Sequence, residues 1–159
     1  MTLDALAVQV GARLKERGWL LATAESCTGG WVAQVVTSVS GSSEWFERGF
    51  VTYSNDAKRD MLGVRAATLE RHGAVSEETA REMAAGALAA SRAHVAVAIT
   101  GVAGPTGGTP GKPVGMVCLA WAVRRGAVES TTRRFGGDRE AVRRESVVLG
   151  LQGVIDRAA

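Results

Sequence analysis

Trp19-Leu-Leu-Ala-Thr-Ala-Glu-Ser-Cys-Thr-Gly-Gly30, running on into Trp31-Val-Ala-Gln-Val-Val-Thr-Ser-Val39, is the stretch that decides the fold. Trp19 to Thr23 is a short apolar run of the kind that forms a buried strand. Glu25 to Gly30 is small, polar and closed by two glycines, and from Trp31 to Val39 apolar residues return at helical spacing. The order is therefore strand, glycine loop, helix, the repeating unit of an α/β sheet.

The same alternation extends in both directions. Before it, Leu3, Leu6, Val10 and Leu14 predict a helix over Leu3 to Arg17, with Thr2 as N-cap and Gly18 as its stop. After it, Gly49 to Ser54 reads as a second strand, and Asp56 to Leu62 and Ala66 to Arg71 as short helices. Ser76, followed by Glu77 and Glu78, caps a helix running to about Arg92. Val95 to Ile99 is a buried strand that feeds the glycine-rich loop Thr100 to Gly108. Val114 to Val123 is the longest strand candidate, and Val128 to Phe135 is its antiparallel partner across the turn Arg124 to Ala127. Asp138 caps a long closing helix. Helices alternate with strands early and a hairpin comes late. The expected fold is an α/β, single three-layer domain over residues 1–159, with a mixed β-sheet flanked by helices.

Bulk properties narrow the function. The chain has 159 residues, 46% hydrophobic and 22% charged, with 20 glycines. One domain of this length buries enough surface to fold without staples. The net charge is +3 and the arginines form no long basic stripe, so no nucleic-acid partner is expected. Cys27 and Cys118 are too few and too isolated for a disulfide framework or a zinc site. No apolar run approaches the ~20 residues needed to span a bilayer, and the start of the chain lacks the pattern of a signal peptide. A cytoplasmic protein with no membrane partner is expected, and a homo-oligomer.

Three segments carry residues suited to chemistry. The first is Gly41-Ser-Ser-Glu-Trp-Phe-Glu-Arg-Gly-Phe-Val-Thr-Tyr-Ser-Asn-Asp-Ala-Lys58, which supplies Ser43, Lys58 and the sole tyrosine, Tyr53. A serine needs a base to take its proton, and a lysine can serve if burial or a nearby cation lowers its pKa. The spacing alone better fits a helix cap or turn at Ser42-Ser43 and a solvated surface lysine. Trp45-Phe46 lies beside Ser43, where it could pack on a flat heterocycle. The second segment is the turn Thr23 to Gly30, whose backbone N–H groups at a helix amino terminus suit an oxyanion, carboxamide or phosphate. Ser26 or Cys27 could be the nucleophile there instead. The third is Thr100 to Gly108, phosphate-cradle-like in composition but failing the Walker A pattern. Thr106 stands where the first glycine should be, and Gly111-Lys112 is followed by Pro113. Arg139, with Arg143 and Arg144 a turn further on, could meet an anion. His72 and His94 have no catalytic or ligand spacing.

Ala24-Glu-Ser-Cys-Thr-Gly-Gly30, the segment Gly41 to Asn55 with Lys58, Gly73-Ala-Val-Ser76, Thr100-Gly-Val-Ala-Gly-Pro105 and Gly137-Asp-Arg139 stand in this order. Together they resemble the CinA carboxy-terminal domain family in its stand-alone form, over nearly the whole chain. The resemblance implies hydrolysis of nicotinamide mononucleotide to nicotinate mononucleotide and ammonia, with no metal and no organic cofactor. It implies Ser43 as nucleophile, Lys58 as base and Tyr53 in support. Substrate binding would fall to Ser26, Thr28, Gly29, Thr100, Gly101 and Arg139. A nucleotide-binding regulatory module that turns nothing over is the alternative, linked to competence or DNA damage.

Overall fold

The computed structural model describes all residues, Met1–Ala159. Its order is α1 (Leu3–Arg17), β1 (Leu21–Glu25), α2 (Trp31–Thr37), β2 (Phe46–Val51), α3 (Asn55–Leu62), α4 (Ala66–His72) and α5 (Glu77–Ala89). Then follow β3 (Val95–Gly101), β4 (Met116–Val123), β5 (Val128–Arg134) and α6 (Arg139–Arg157). The sheet has the order β2-β1-β3-β4-β5. β2, β1 and β3 run parallel, and β4 and β5 are antiparallel additions, so the sheet is mixed as expected.

The strands sort their side chains by size. On β3 and β4, Val95, Val97, Ile99, Val117, Leu119 and Trp121 face one way, toward a core completed by α1, α2 and α6. The alternate residues Ala96, Ala98, Cys118, Ala120 and Ala122 face the other way, toward α5 and the end of α3. A two-residue period makes this sorting possible. The small face lets the alanine-rich α5 lie close to the sheet.

Caps fall where the sequence puts them. Thr2, Ser76 and Asp138 accept from Ala5 N, Thr79 N and Ala141 N, and Gly18 closes α1 in the left-handed conformation. The strand limits shift. β1 starts two residues later than expected and runs through Glu25, and β2 spans Phe46–Val51 instead of 49–54. Ser54 consequently belongs to the next element, capping α3 through Ala57 N.

Ser43 precedes β2. Ser42–Glu44 is a single 3₁₀ turn before β2, and Leu21 N donates to the Trp45 carbonyl. Ser43 is thus exposed at the amino ends of the parallel strands. Trp45 is 1% exposed and packs in the core against Gly11, so it offers no face to a heterocycle.

Candidate active site

The carboxyl ends of β1 and β3 lie side by side, the position at which open α/β sheets collect ligands. A cavity of about 320 Å³ opens there. β1 delivers Ser26 and Cys27 to it, α3 delivers Lys58, the end of β3 and the following loop deliver Thr100 to Gly104, and α6 delivers Arg139. Tyr53 forms part of the rim and is 64% exposed.

Lys58 Nζ lies 3.0 Å from Ser26 Oγ and 2.8 Å from the Thr52 carbonyl oxygen. The lysine is 1% exposed and takes part in no ion pair. Burial therefore pulls its pKa below the ordinary lysine value. Lys58 Nζ donates to the Thr52 carbonyl and to Ser26 Oγ, and once the amine is neutral its lone pair can take the Ser26 proton instead. Cys27 stands next to Ser26, but burial pushes its thiol up to about 11, which keeps it protonated and poorly nucleophilic at neutral pH.

Ser43 does not share this site. At about 3.3 Å per residue, the length of β1 holds it on the order of 15 Å from Ser26 and Lys58. The serine beside Lys58 is Ser26; Ser43, which the family resemblance pairs with Lys58, stands apart from it. Two residues in one loop-and-strand segment are separated here because the strand itself lies between them.

The binding residues divide in the same manner. Thr28 is fully buried and Gly29 sits in the left-handed region; both shape the turn and neither lines the cavity. Thr100 lines it, but its hydroxyl donates to the Ala74 carbonyl at 2.9 Å, which ties the wall of the cavity to the segment before α5. Gly101 lines it as well, and a Cβ there would meet Val117 and the Met116 carbonyl on β4. Arg139 donates to the Gly104 carbonyl at 2.8 Å and to Tyr53 Oη at 3.2 Å, and no carboxylate pairs with it. Tyr53 is bonded to Arg139 and to neither Ser26 nor Lys58.

The amino terminus of α2 is not open to a ligand as expected. Glu25, 1% exposed, fills it from within: Val32 N and Ala33 N donate to its carboxylate at 2.9 and 3.1 Å, and Thr28 Oγ1 at 2.6 Å. This role of Glu25 is missing from the sequence reading, although an acid ending an apolar run ahead of a helix is the signal for it. His94 Nδ1 accepts from Leu20 N, and the His72 carbonyl accepts from Lys112; both histidines stand outside the cavity.

Fold and site together define a three-layer α/β protein with a serine–lysine pair at the ligand-collecting end of its sheet. The chain belongs to the CinA C-terminal domain family, whose model matches residues 3–158. It is 60% identical over 152 residues to nicotinamide-nucleotide amidohydrolase PncC of Escherichia coli K12, covering 94% of this chain and 91% of that one. With the protein of the same name from Pseudomonas putida the identity is 50% over 153 residues, covering 96% and 95%. The crystal structure of competence/damage inducible protein CihA from Agrobacterium tumefaciens matches with a TM-score of 0.95 at 48% identity, covering 97% of this chain and 94% of that one.

Proposed function

We propose that the protein is a nicotinamide-nucleotide amidohydrolase acting in pyridine nucleotide recycling, with Ser26 as nucleophile and Lys58 as general base. The observation that carries this reading is the 3.0 Å contact between Lys58 Nζ and Ser26 Oγ on a buried, uncompensated lysine. The names of the relatives supply the substrate class.

In this mechanism Ser26 Oγ attacks the carboxamide carbon of the nicotinamide ring as its proton passes to Lys58. The tetrahedral intermediate collapses when the Lys58 ammonium protonates the departing nitrogen, and ammonia leaves. Water, deprotonated by the regenerated amine, then splits the acyl-enzyme to release the nicotinate product and free Ser26. Arg139, held by the Gly104 carbonyl and Tyr53, supplies an unpaired cation for the phosphate. Tyr53 supports the site from the rim, through Arg139.

The test is ammonia release from nicotinamide mononucleotide by the wild type, Ser26→Ala and Ser43→Ala. Ser26→Ala should lose at least about 10³-fold in kcat, as nucleophile removal does, while Ser43→Ala stays near the wild type. Activity that survives Ser26→Ala would overturn the assignment. Nucleotide binding without ammonia release by the wild type would favour a regulatory binding module.

A further inference from the structure

Arg143 lies outside the cavity, yet it grips the turn that carries Ser26. Its Nε donates to the Cys27 carbonyl at 3.0 Å and its Nη2 to the Thr28 carbonyl at 3.2 Å. The guanidinium sits over the Trp31 ring, 5.4 Å from its centroid, and pairs with no carboxylate. A planar fork on two successive carbonyls is a geometry that arginine can supply and lysine cannot.

The consequence lies in the peptide units. A trans peptide points its N–H opposite its carbonyl, so whatever holds the carbonyl also aims the N–H. The Ser26 carbonyl is held by Gly29 N, which sets the Cys27 N–H. The Cys27 and Thr28 carbonyls are held by Arg143, which fixes the turn on the other side of Cys27. Neither Cys27 N nor Thr28 N has a protein acceptor, whereas Ser26 N donates to the Ile99 carbonyl and the α2 amides donate to Glu25. Cys27 lines the cavity and Thr28 does not, so Cys27 N–H is the uncommitted donor that faces a ligand beside Ser26.

Resting on the assignment of Ser26 as nucleophile, we propose that Arg143 is a positioning residue. It fixes the turn from the far side of Cys27, so that Cys27 N–H is preorganised for the oxyanion that forms when Ser26 attacks. Arg143 touches neither substrate nor reacting atoms, and Trp31 holds its guanidinium in place.

The experiment compares wild type, Arg143→Ala and Arg143→Lys in two assays. One follows kcat and KM for nicotinamide mononucleotide. The other follows labelling of Ser26 by a fluorophosphonate, in which a serine O–P bond replaces P–F, fluoride leaves and the P=O oxygen calls on the same donor. Loss of a full oxyanion donor costs about 10²–10³-fold, so loss of its positioning should lower kcat by about 10–100-fold. KM should stay within about twofold. Labelling should slow in parallel, and added guanidinium should restore part of both rates in Arg143→Ala. Arg143→Lys, reaching one carbonyl, should fall between, and it carries the test if the alanine variant does not fold. Unchanged kcat and labelling in the folded variants would overturn the proposal, as would a raised KM with kcat intact. If the wild type releases no ammonia, the amidase reading fails separately. The ratio of Ser26 labelling rates then decides the role of Arg143, equal rates overturning it.

Discussion

Lys58 shows what a base costs when it is made by burial. An ammonium at 1% exposure, with one carbonyl and one hydroxyl for partners and no carboxylate, is disfavoured, and its pKa falls because burial penalises the charged form. The unfolded chain, with an ordinary lysine, binds more protons than the folded one between the two pKa values. Folding is therefore penalised below the depressed folded pKa, the penalty shrinks as pH rises through that window, and it vanishes above the ordinary lysine value. Lys58→Met should abolish ammonia release yet raise the melting temperature at neutral pH, and the gain should narrow as the pH approaches the lysine range. Thermal melts of the two proteins across pH 6 to about 10 check this. A stability difference that stays constant with pH would mean that Lys58 is not held in the neutral form. In the wild type, kcat/KM should rise with pH along one limb whose midpoint lies below the ordinary lysine pKa.

At the scale of elements, α3 is the part that must not move, because it carries Lys58 to Ser26. It is located by α5. Gly86 of α5 passes so close to the end of α3 that a Cβ there would meet the Leu62 carbonyl oxygen at 1.9 Å. Backbone cannot yield as a flexible side chain can, so Gly86→Ala should push the two helices apart despite the better helix propensity of alanine. We expect a loss of about 1–3 kcal/mol, the range of overpacking, measured by urea denaturation. A fall in kcat should accompany it as Lys58 moves from Ser26. Much of this framework was legible in the sequence. The caps at Thr2, Ser76 and Asp138, the stop at Gly18 and the late hairpin all follow from local chemistry that acts over a few residues. The site was legible only in part. Lys58, Tyr53, Arg139 and the turn at Ser26 were visible as types, but the choice between Ser26 and Ser43 depends on which end of β1 and β2 each serine occupies. Ser43 precedes β2 and Lys58 follows it under either set of limits, but which serine meets Lys58 depends on β1 pairing beside β2, a tertiary contact. Glu25 acts on the turn within eight residues and an acid ahead of a helix signals it, whereas Arg143 acts from up to 116 residues away, which no local pattern announces.

Over the whole molecule, the site is assembled from both sides of the sheet. Lys58 comes from the side packed with small residues, Arg139 and Arg143 from α6 on the side packed with large ones, and Ser26 from the strand between. The two sides hold different parts of the proposed substrate. The base and nucleophile lie deep at the end of β1, while Arg139 stands at the mouth, exposed and tied to the glycine loop through Gly104 and to the rim through Tyr53. A ligand whose reacting amide lies at the floor would place its far anionic end against Arg139. Such remote binding energy serves to orient the reacting group. Arg139→Ala should therefore raise KM for nicotinamide mononucleotide by about 10–100-fold, the worth of one charge-assisted hydrogen bond. It should leave KM for the riboside, which lacks the phosphate, nearly unchanged. Steady-state kinetics on both substrates with wild type and variant decide the matter. An equal effect on the two would assign Arg139 to the ribose or to the rim, and would remove the phosphate from that end of the site.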